Sequence, residues 1–520
     1  MAAKKRQAWG SKLGIIMAVA GSAVGLGNFL RFPVQAAGNG GGAFMIPYFV
    51  SLLLLGIPLM WIEWSLGRYG GGFEHGTAPG IFHTLWEKNR FIKYFGIIGI
   101  FGPLVIFIYY TYIESWTLAY SFFALTGKYA SAMGQSQMQS FLHAYQGVEK
   151  NQYFNSLWVA YIFFLITFFL NITVIYYGIK GGIERFCRIA MPALFICGVL
   201  LAIRVLTLGA PDTARPDWNS LNGLGFLWNP DFSALKNPKV WLAAAGQIFF
   251  TLSVGIGVIL TYASYLSKGD DVTLSGLTAV STNEFAEVIL GGSIVITAAF
   301  SFFGPIGAQE VANSGAFNLG FVTMPLIFQN ISFGAFFGFL WFLMLFLAGV
   351  TSSVSLAQPA VAFMEDEFNI NRKKAVWILG AVCFILCQPA IFFLGRGVID
   401  ELDFWGGTFC LVLFATIETI LFTWIFGIDK AWEEMHRGAE LQIPKIYKFI
   451  MRYVTPVFLL VILCWYLWSA GIDMLLMKNV SPENKPFVLG TRIMLLGMLI
   501  GLAVSVKLAW RRKRVKGGAR

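Results

Sequence analysis

Apolar runs of about 20 residues, the length that carries a helix across a hydrocarbon layer, recur along this whole chain and leave little sequence for anything else. Twelve can be placed, near 12–36, 41–66, 92–124, 157–177, 189–207, 239–266, 274–302, 334–362, 374–394, 400–426, 447–473 and 486–509. Hydrophobic residues make up 57% of the chain and charged ones 12%, about half the charged share of a soluble domain, so most side chains must face apolar surroundings. The expected fold class is an all-α polytopic membrane protein, a single domain over residues 1–520.

An even number of crossings puts both ends on one side. Both ends are basic, with Lys4, Lys5 and Arg6 at the start and Arg511, Arg512, Lys513, Arg514 and Lys516 at the finish. The short loops of that side add Arg68, Lys88, Arg90, Lys93, Lys180, Arg185, Arg188, Arg372, Lys373, Lys374, Lys430 and Arg437, which makes it cytoplasmic by the positive-inside rule. The net charge of +11 therefore sits at helix ends against anionic lipid rather than in one stripe, and excludes nucleic acid as a partner. The first segment is basic and then apolar like a signal peptide, but its apolar character continues through Phe32, so it is read as a retained helix. The six cysteines lie within or beside apolar runs, and the two long outward loops, near 125–156 and 208–238, hold no pair to bridge. Those loops are expected to contain short helices.

Two runs are poor continuous helix. The first carries Gly21-Ser22-Ala23-Val24-Gly25-Leu26-Gly27-Asn28 at its middle, and the sixth carries Phe250-Thr251-Leu252-Ser253-Val254-Gly255-Ile256-Gly257. Small residues at such spacing also serve close helix packing. Interrupted backbone at membrane depth is tolerated only where protein or a wet cavity satisfies it, so a pair of interruptions five spans apart points to a binding site between two five-span repeats. The repeats would run over about 10–207 and 239–426, followed by two further helices over about 447–509.

Other polar residues fall on single helix faces. Asn283 and Glu287 are four apart in span seven. Ala348, Thr351 and Ser352 cover one turn of span eight, with Leu356 a turn beyond, and Ile106 and Tyr110 share a face in span three. Hydroxyls and freed carbonyls make a shell for a hard cation, while back-bonding to the helix, interhelical bonding and a core tyrosine are the alternative uses of these residues. Glu63, Glu114, Glu284 and Glu287 are acids inside apolar runs with no nucleophile or metal set beside them, and no histidine pair, nucleophile elbow or phosphate loop is present, so enzyme chemistry and an organic cofactor are not expected.

The stretch Gly21 to Pro33, followed by Gly38-Asn-Gly-Gly-Gly-Ala-Phe, Trp61-Ile-Glu-Trp, Tyr110-Thr-Tyr-Ile-Glu-Ser-Trp, Gln247-Ile-Phe-Phe-Thr-Leu-Ser, Asn283-Glu-Phe-Ala-Glu and Thr351-Ser-Ser, resembles the neurotransmitter:sodium symporter family from about residue 6 past 470. The resemblance implies twelve helices in an inverted five-plus-five repeat, with helices 1 and 6 unwound at mid-membrane around a substrate and two sodium ions. It implies sodium-coupled import of hydrophobic L-amino acids, aliphatic or aromatic, by alternating access in the plasma (inner) membrane, and it allows a homodimer. Carried over by position, the first sodium site takes Ala23, Asn28, Thr251, Asn283 and the substrate carboxylate, and the second takes Gly21, Val24, Ala348, Thr351 and Ser352. The substrate meets Ser22, Ala23, Leu26, Gly27, Ile106, Tyr110, Phe250, Thr251, Ser253, Ile256, Ser352 and Leu356. Gates are Arg31 with Asp403 outside and Arg6 with Asp366 inside, the latter supported by Trp9 and Tyr265. Glu287 replaces the serine of chloride-dependent members, which implies chloride independence. Ser22, Ile256 and Ile106 depart from the Asn, Phe and Val of the family's leucine-carrying pattern, so the preferred side chain stays open. A ligand-gated channel or a non-transporting amino-acid sensor on the same scaffold is the competing reading.

Overall fold

The computed structural model describes residues 7–517, and among them no strand forms beyond an isolated bridge between Gly41 and Pro230. The elements that build the bundle are α1 (Lys12–Ala23), α2 (Leu26–Gly38), α3 (Gly42–Gly71), α4 (Ile92–Thr126), α5 (Trp158–Tyr176), α6 (Ile179–Leu206), α7 (Pro238–Leu252), α8 (Val258–Ala263), α9 (Thr273–Asn313), α10 (Gly334–Phe368), α11 (Arg372–Phe392), α12 (Val398–Ile425), α13 (Ile446–Ser469) and α14 (Lys485–Lys513), with shorter helices in the connections. Ten of these are long and apolar enough to cross a membrane, and α1 with α2, bent by 47°, makes an eleventh. The expected sixth run is present only as α7 and the six-residue α8, neither of which is long enough alone.

Two expected boundaries shift for local reasons. The fifth run begins at Ile179 rather than 189, because 179–184 winds wide and joins the following helix, so its basic residues sit in the first turns rather than in a loop. The seventh continues to Asn313, but Gly304 (φ 68°) before Pro305 breaks it beside the expected end at 302. The outward loops carry helices Gln135–Tyr145 and Ser220–Trp228, as the sequence suggested.

The centre of the bundle is α1, α2, α7 and α8, wrapped by α3, α4, α9, α10 and α12. α10 packs along α4, and α2 lies against the Phe285–Ile296 stretch of α9. By contrast α13 and α14 are largely exposed apolar surface at the edge, which suits lipid.

Helix α3 approaches α8 so closely that only glycine fits. A Cβ on Gly67 would run into the Leu260 carbonyl and sit 2.7 Å from Ala263 Cβ, and one on Gly71 would meet the Ser264 backbone. Gly67→Val is therefore expected to destabilise the protein by about 1–3 kcal/mol or more through overpacking. The check is its apparent melting temperature in detergent against the parent.

Candidate functional site

Helix α1 ends where Val24 (ψ 88°) leaves helical geometry, and Gly25 (φ −116°, ψ −167°) is extended before α2 restarts at Leu26. In the sixth run Ser253 is left-handed (φ 53°), and Gly255 and Gly257 follow at φ 76° and 77°, which favours glycine at both. The two breaks touch: Ser253 Oγ donates to the Ser22 carbonyl at 2.8 Å. Each break frees backbone groups, amides at the start of α2 and carbonyls at the end of α7.

Between them lies a cavity of about 50 Å³. Ser22, Ala23, Gly27, Ile106, Tyr110, Phe250, Thr251, Ser253, Ile256, Ser352 and Leu356 line it, which is every substrate position expected from the sequence save Leu26. Leu26 contributes backbone, its N–H donating to Tyr110 Oη at 3.1 Å. Sequence reasoning missed Gly25, Ser355, Gly407 and Leu411 as lining residues. Ser355 was findable, since it follows Ser352 by one turn, and its hydroxyl is 2.7 Å from that of Ser22. The cavity must widen to admit an amino-acid side chain. Its roof is aromatic and cationic, with the Arg31 guanidinium 4.3 Å from the Phe250 ring centre.

Asn28, Thr251, Asn283 and Glu287 form one buried cluster beside the cavity. Asn28 Oδ1 accepts the Gly25 N–H at 2.8 Å, and its amide nitrogen donates to Asn283 Oδ1 (2.8 Å), Glu287 Oε2 (3.0 Å) and Thr251 Oγ1 (3.1 Å). The Asn283 amide sits 3.2 Å from the Thr251 carbonyl and 3.3 Å from the Ala23 carbonyl. With its nitrogen toward them it bonds both but forfeits the bond from Asn28; with its oxygen toward them it keeps that bond and completes an oxygen face that a cation would settle. Asn28 here offers nitrogen to that centre, so serving as a ligand requires its amide to turn over. Glu287 is fully buried and also accepts from Gln247 Nε2 (2.9 Å), Tyr48 Oη (3.1 Å) and the Thr251 hydroxyl.

A second oxygen cluster joins α1 to α10. Ser352 Oγ lies 3.0 Å from the Ala348 carbonyl and 3.3 Å from that of Gly21, and Thr351 Oγ1 is 3.0 Å from the Ala348 carbonyl. Val24, whose carbonyl was expected there, is the residue at which α1 unwinds. Among the described residues no group of three or more His, Cys, Asp or Glu converges, so both candidate shells are mainly neutral oxygen, the chemistry of hard monovalent cations rather than zinc.

The gate residues are arranged differently from a closed pair. Asp403 accepts from Tyr109 Oη at 2.6 Å, a partner the sequence did not single out, and among the described residues no Arg31–Asp403 ion pair is present. On the opposite side Trp9 Nε1 donates to the Tyr262 carbonyl (3.0 Å), Tyr265 Oη accepts from Gln358 (2.9 Å), and Asp366 is half-buried. Arg6 lies outside the described residues.

Comparison with known proteins places this arrangement. The model of the sodium:neurotransmitter symporter family matches residues 6–156 and 139–511. A sodium-dependent transporter of Methanocaldococcus jannaschii is 33% identical over 88% of this chain and 90% of its own length. The sodium-dependent dopamine transporter of Caenorhabditis elegans is 27% identical over 88% of this chain and 79% of its own. The crystal structure of MhsT in complex with L-phenylalanine superposes with a TM-score of 0.72 at 31% identity, covering 88% of this chain and 99% of that one.

Proposed function

This chain belongs to the sodium:neurotransmitter symporter family, and from that premise we propose that it imports hydrophobic L-amino acids together with sodium, by alternating access around the cavity between the two helix breaks. It is a multi-pass membrane protein of a transporter family and not an enzyme. The observation that carries the proposal is the cavity itself, which sets the first turn of α2, where the Leu26 N–H meets the Tyr110 hydroxyl, opposite the carbonyl end of α7. Helix N-termini favour a carboxylate and C-terminal carbonyls an ammonium, so the two ends of a zwitterion find their partners in one space.

The side-chain end, at Ile106, Ile256 and Leu356, holds no charge, which supports hydrophobic cargo, aliphatic or aromatic. MhsT was crystallised in complex with L-phenylalanine, an amino acid of this class. One sodium ion would sit among Ala23, Asn28, Thr251 and Asn283 and share the substrate carboxylate; the other would sit among Gly21, Val24, Ala348, Thr351 and Ser352. A shared ligand couples the two bindings reciprocally, because each raises the affinity of the other by the same factor. Twelve crossings follow if α7 and α8 form one, with repeats over about 10–207 and 239–426, both termini cytoplasmic, and the plasma membrane as location. Arg31 with Asp403 and Arg6 with Asp366 are the outer and inner gates.

The test is uptake of labelled leucine, phenylalanine and tryptophan into proteoliposomes, with sodium replaced by potassium or choline. Concentrative uptake of at least one that vanishes without sodium is expected; equal uptake in all three salts would sink the reading, and ion current without accumulation would favour a channel.

Glu287 supports chloride independence, since a fixed carboxylate already meets four donors at the first ion cluster. Uptake should be unchanged when gluconate replaces chloride. Glu287→Ser leaves those donors without an acceptor, at roughly 1–3 kcal/mol for each buried group. The variant should lose about tenfold or more of its uptake in gluconate and recover part of it in chloride.

A further inference from the structure

A pair of acids lies away from the cavity. Glu63 on α3 and Glu418 on α12 are both fully buried and lie within hydrogen-bonding reach of each other. Glu63 Oε1 accepts the N–H of Gly255, inside the break of the sixth run, and the same carboxyl is reached by the amide of Leu260 in the first turns of α8. The other three oxygens, Glu63 Oε2 and both of Glu418, have no donor among the described residues. Among the described residues neither carboxyl makes an ion pair. Ionisable neighbours on the packed elements are engaged elsewhere: Arg68 with Glu434, Asp403 with Tyr109, and Glu114 with Asn171.

Two carboxylates facing each other in apolar surroundings cannot both ionise, because neither bulk water nor a cation offsets their repulsion. One hydrogen between them removes the repulsion and supplies the missing donor. Backbone amides reach only Glu63, so the charge belongs there and the hydrogen on Glu418. The placement gives that hydrogen a task. Leu411, Ala415 and Glu418 follow one face of α12, and a Cβ on Gly255 would lie 2.7 Å from the Leu411 carbonyl and 2.9 Å from Ala415 Cβ. The backbone of the break therefore runs between Glu63 on one side and α12 on the other.

We infer that Glu63 and Glu418 form a proton-binding site, separate from the substrate and cation clusters, whose single shared proton fastens α3 and α12 across the break of the sixth run. Without it, two negative charges would push α12 off the break. Unlike the carboxylate at Glu287, which meets protein donors on both oxygens, this pair is incomplete until the proton is present.

The test is infrared difference spectroscopy on the purified, full-length protein, reading the carboxylic-acid C=O stretch and its shift in D2O. Glu418→Gln and Glu63→Gln each replace the shared proton by an amide hydrogen of similar reach, so each is expected to fold. Loss of one carboxyl's worth of acid band in at least one variant, relative to the parent, is the expected result. An acid band unchanged in both variants overturns the proposal. Either variant alone carries the comparison, so one that fails to fold leaves the test in place. The spectrum needs no substrate, sodium or uptake, so its failure and a failure of the transport reading are distinguishable.

Discussion

Asn28→Ala is expected to reduce sodium-driven uptake to background while leaving a folded, less stable protein. Asn28 ties both breaks to the acid of α9, accepting from Gly25 and donating to Thr251, Asn283 and Glu287. Alanine leaves the Gly25 N–H and a share of the Glu287 carboxylate unpaired in a site with no bulk water. At roughly 1–3 kcal/mol for each such group, stability should fall by a few kcal/mol. The loss of function should exceed what that explains, because the proposed first ion site would lose a ligand and with it the coupling to substrate. Sodium titrations of substrate binding, by scintillation proximity in detergent, separate the two effects. A variant that binds with unchanged sodium dependence would remove Asn28 from the ion site whatever its stability.

Gly25→Ala tests the opposite face of the same turn. The backbone at Gly25 is extended with negative φ, so alanine is conformationally tolerated there. Its methyl, however, would stand 2.9 Å from Ser352 Oγ and 3.1 Å from Tyr110 Oη, inside the cavity and between the two groups that flank it. Overpacking of this kind costs about 1–3 kcal/mol in the folded protein. The substrate would lose both that space and the approach to the α2 amides. Binding should fall by at least about a hundredfold, equivalent to roughly 2.7 kcal/mol. A modest fall in thermal stability with a far larger loss of binding is the expected pattern; normal affinity would mean the carboxylate docks elsewhere.

Much of this architecture was legible because each of its signals is local. A span reads as an apolar run, and a break reads as glycine and hydroxyl residues where an apolar run should continue. Ala348, Thr351 and Ser352 read as a cluster because one helical turn puts them together. What stayed hidden depends on which helix meets which. Gly407 and Leu411 line the cavity because the wide turn Asp403–Phe409 brings α12 against α4, and nothing in the apolar sequence of that run announces it. Tyr109 sits beside Tyr110 in sequence but points a hundred degrees away, to Asp403 rather than to Leu26. Glu63 was visible as an intramembrane acid, but its partner was not, since only packing places residue 418 beside residue 63. The orientation of the Asn28 amide is likewise a property of its assembled neighbours.

The glycine seam between α3 and α8 also restricts how this molecule can move. With Gly67 against Leu260 and Gly71 against Ser264, the lower half of the sixth span has no freedom to slide on its neighbour and must travel with it as one rigid lever. Flexing is left to the few residues from Ser253 to Gly257. A covalent tether between α3 and α8 should then be silent during the transport cycle, whereas one drawn across those few residues should stop it.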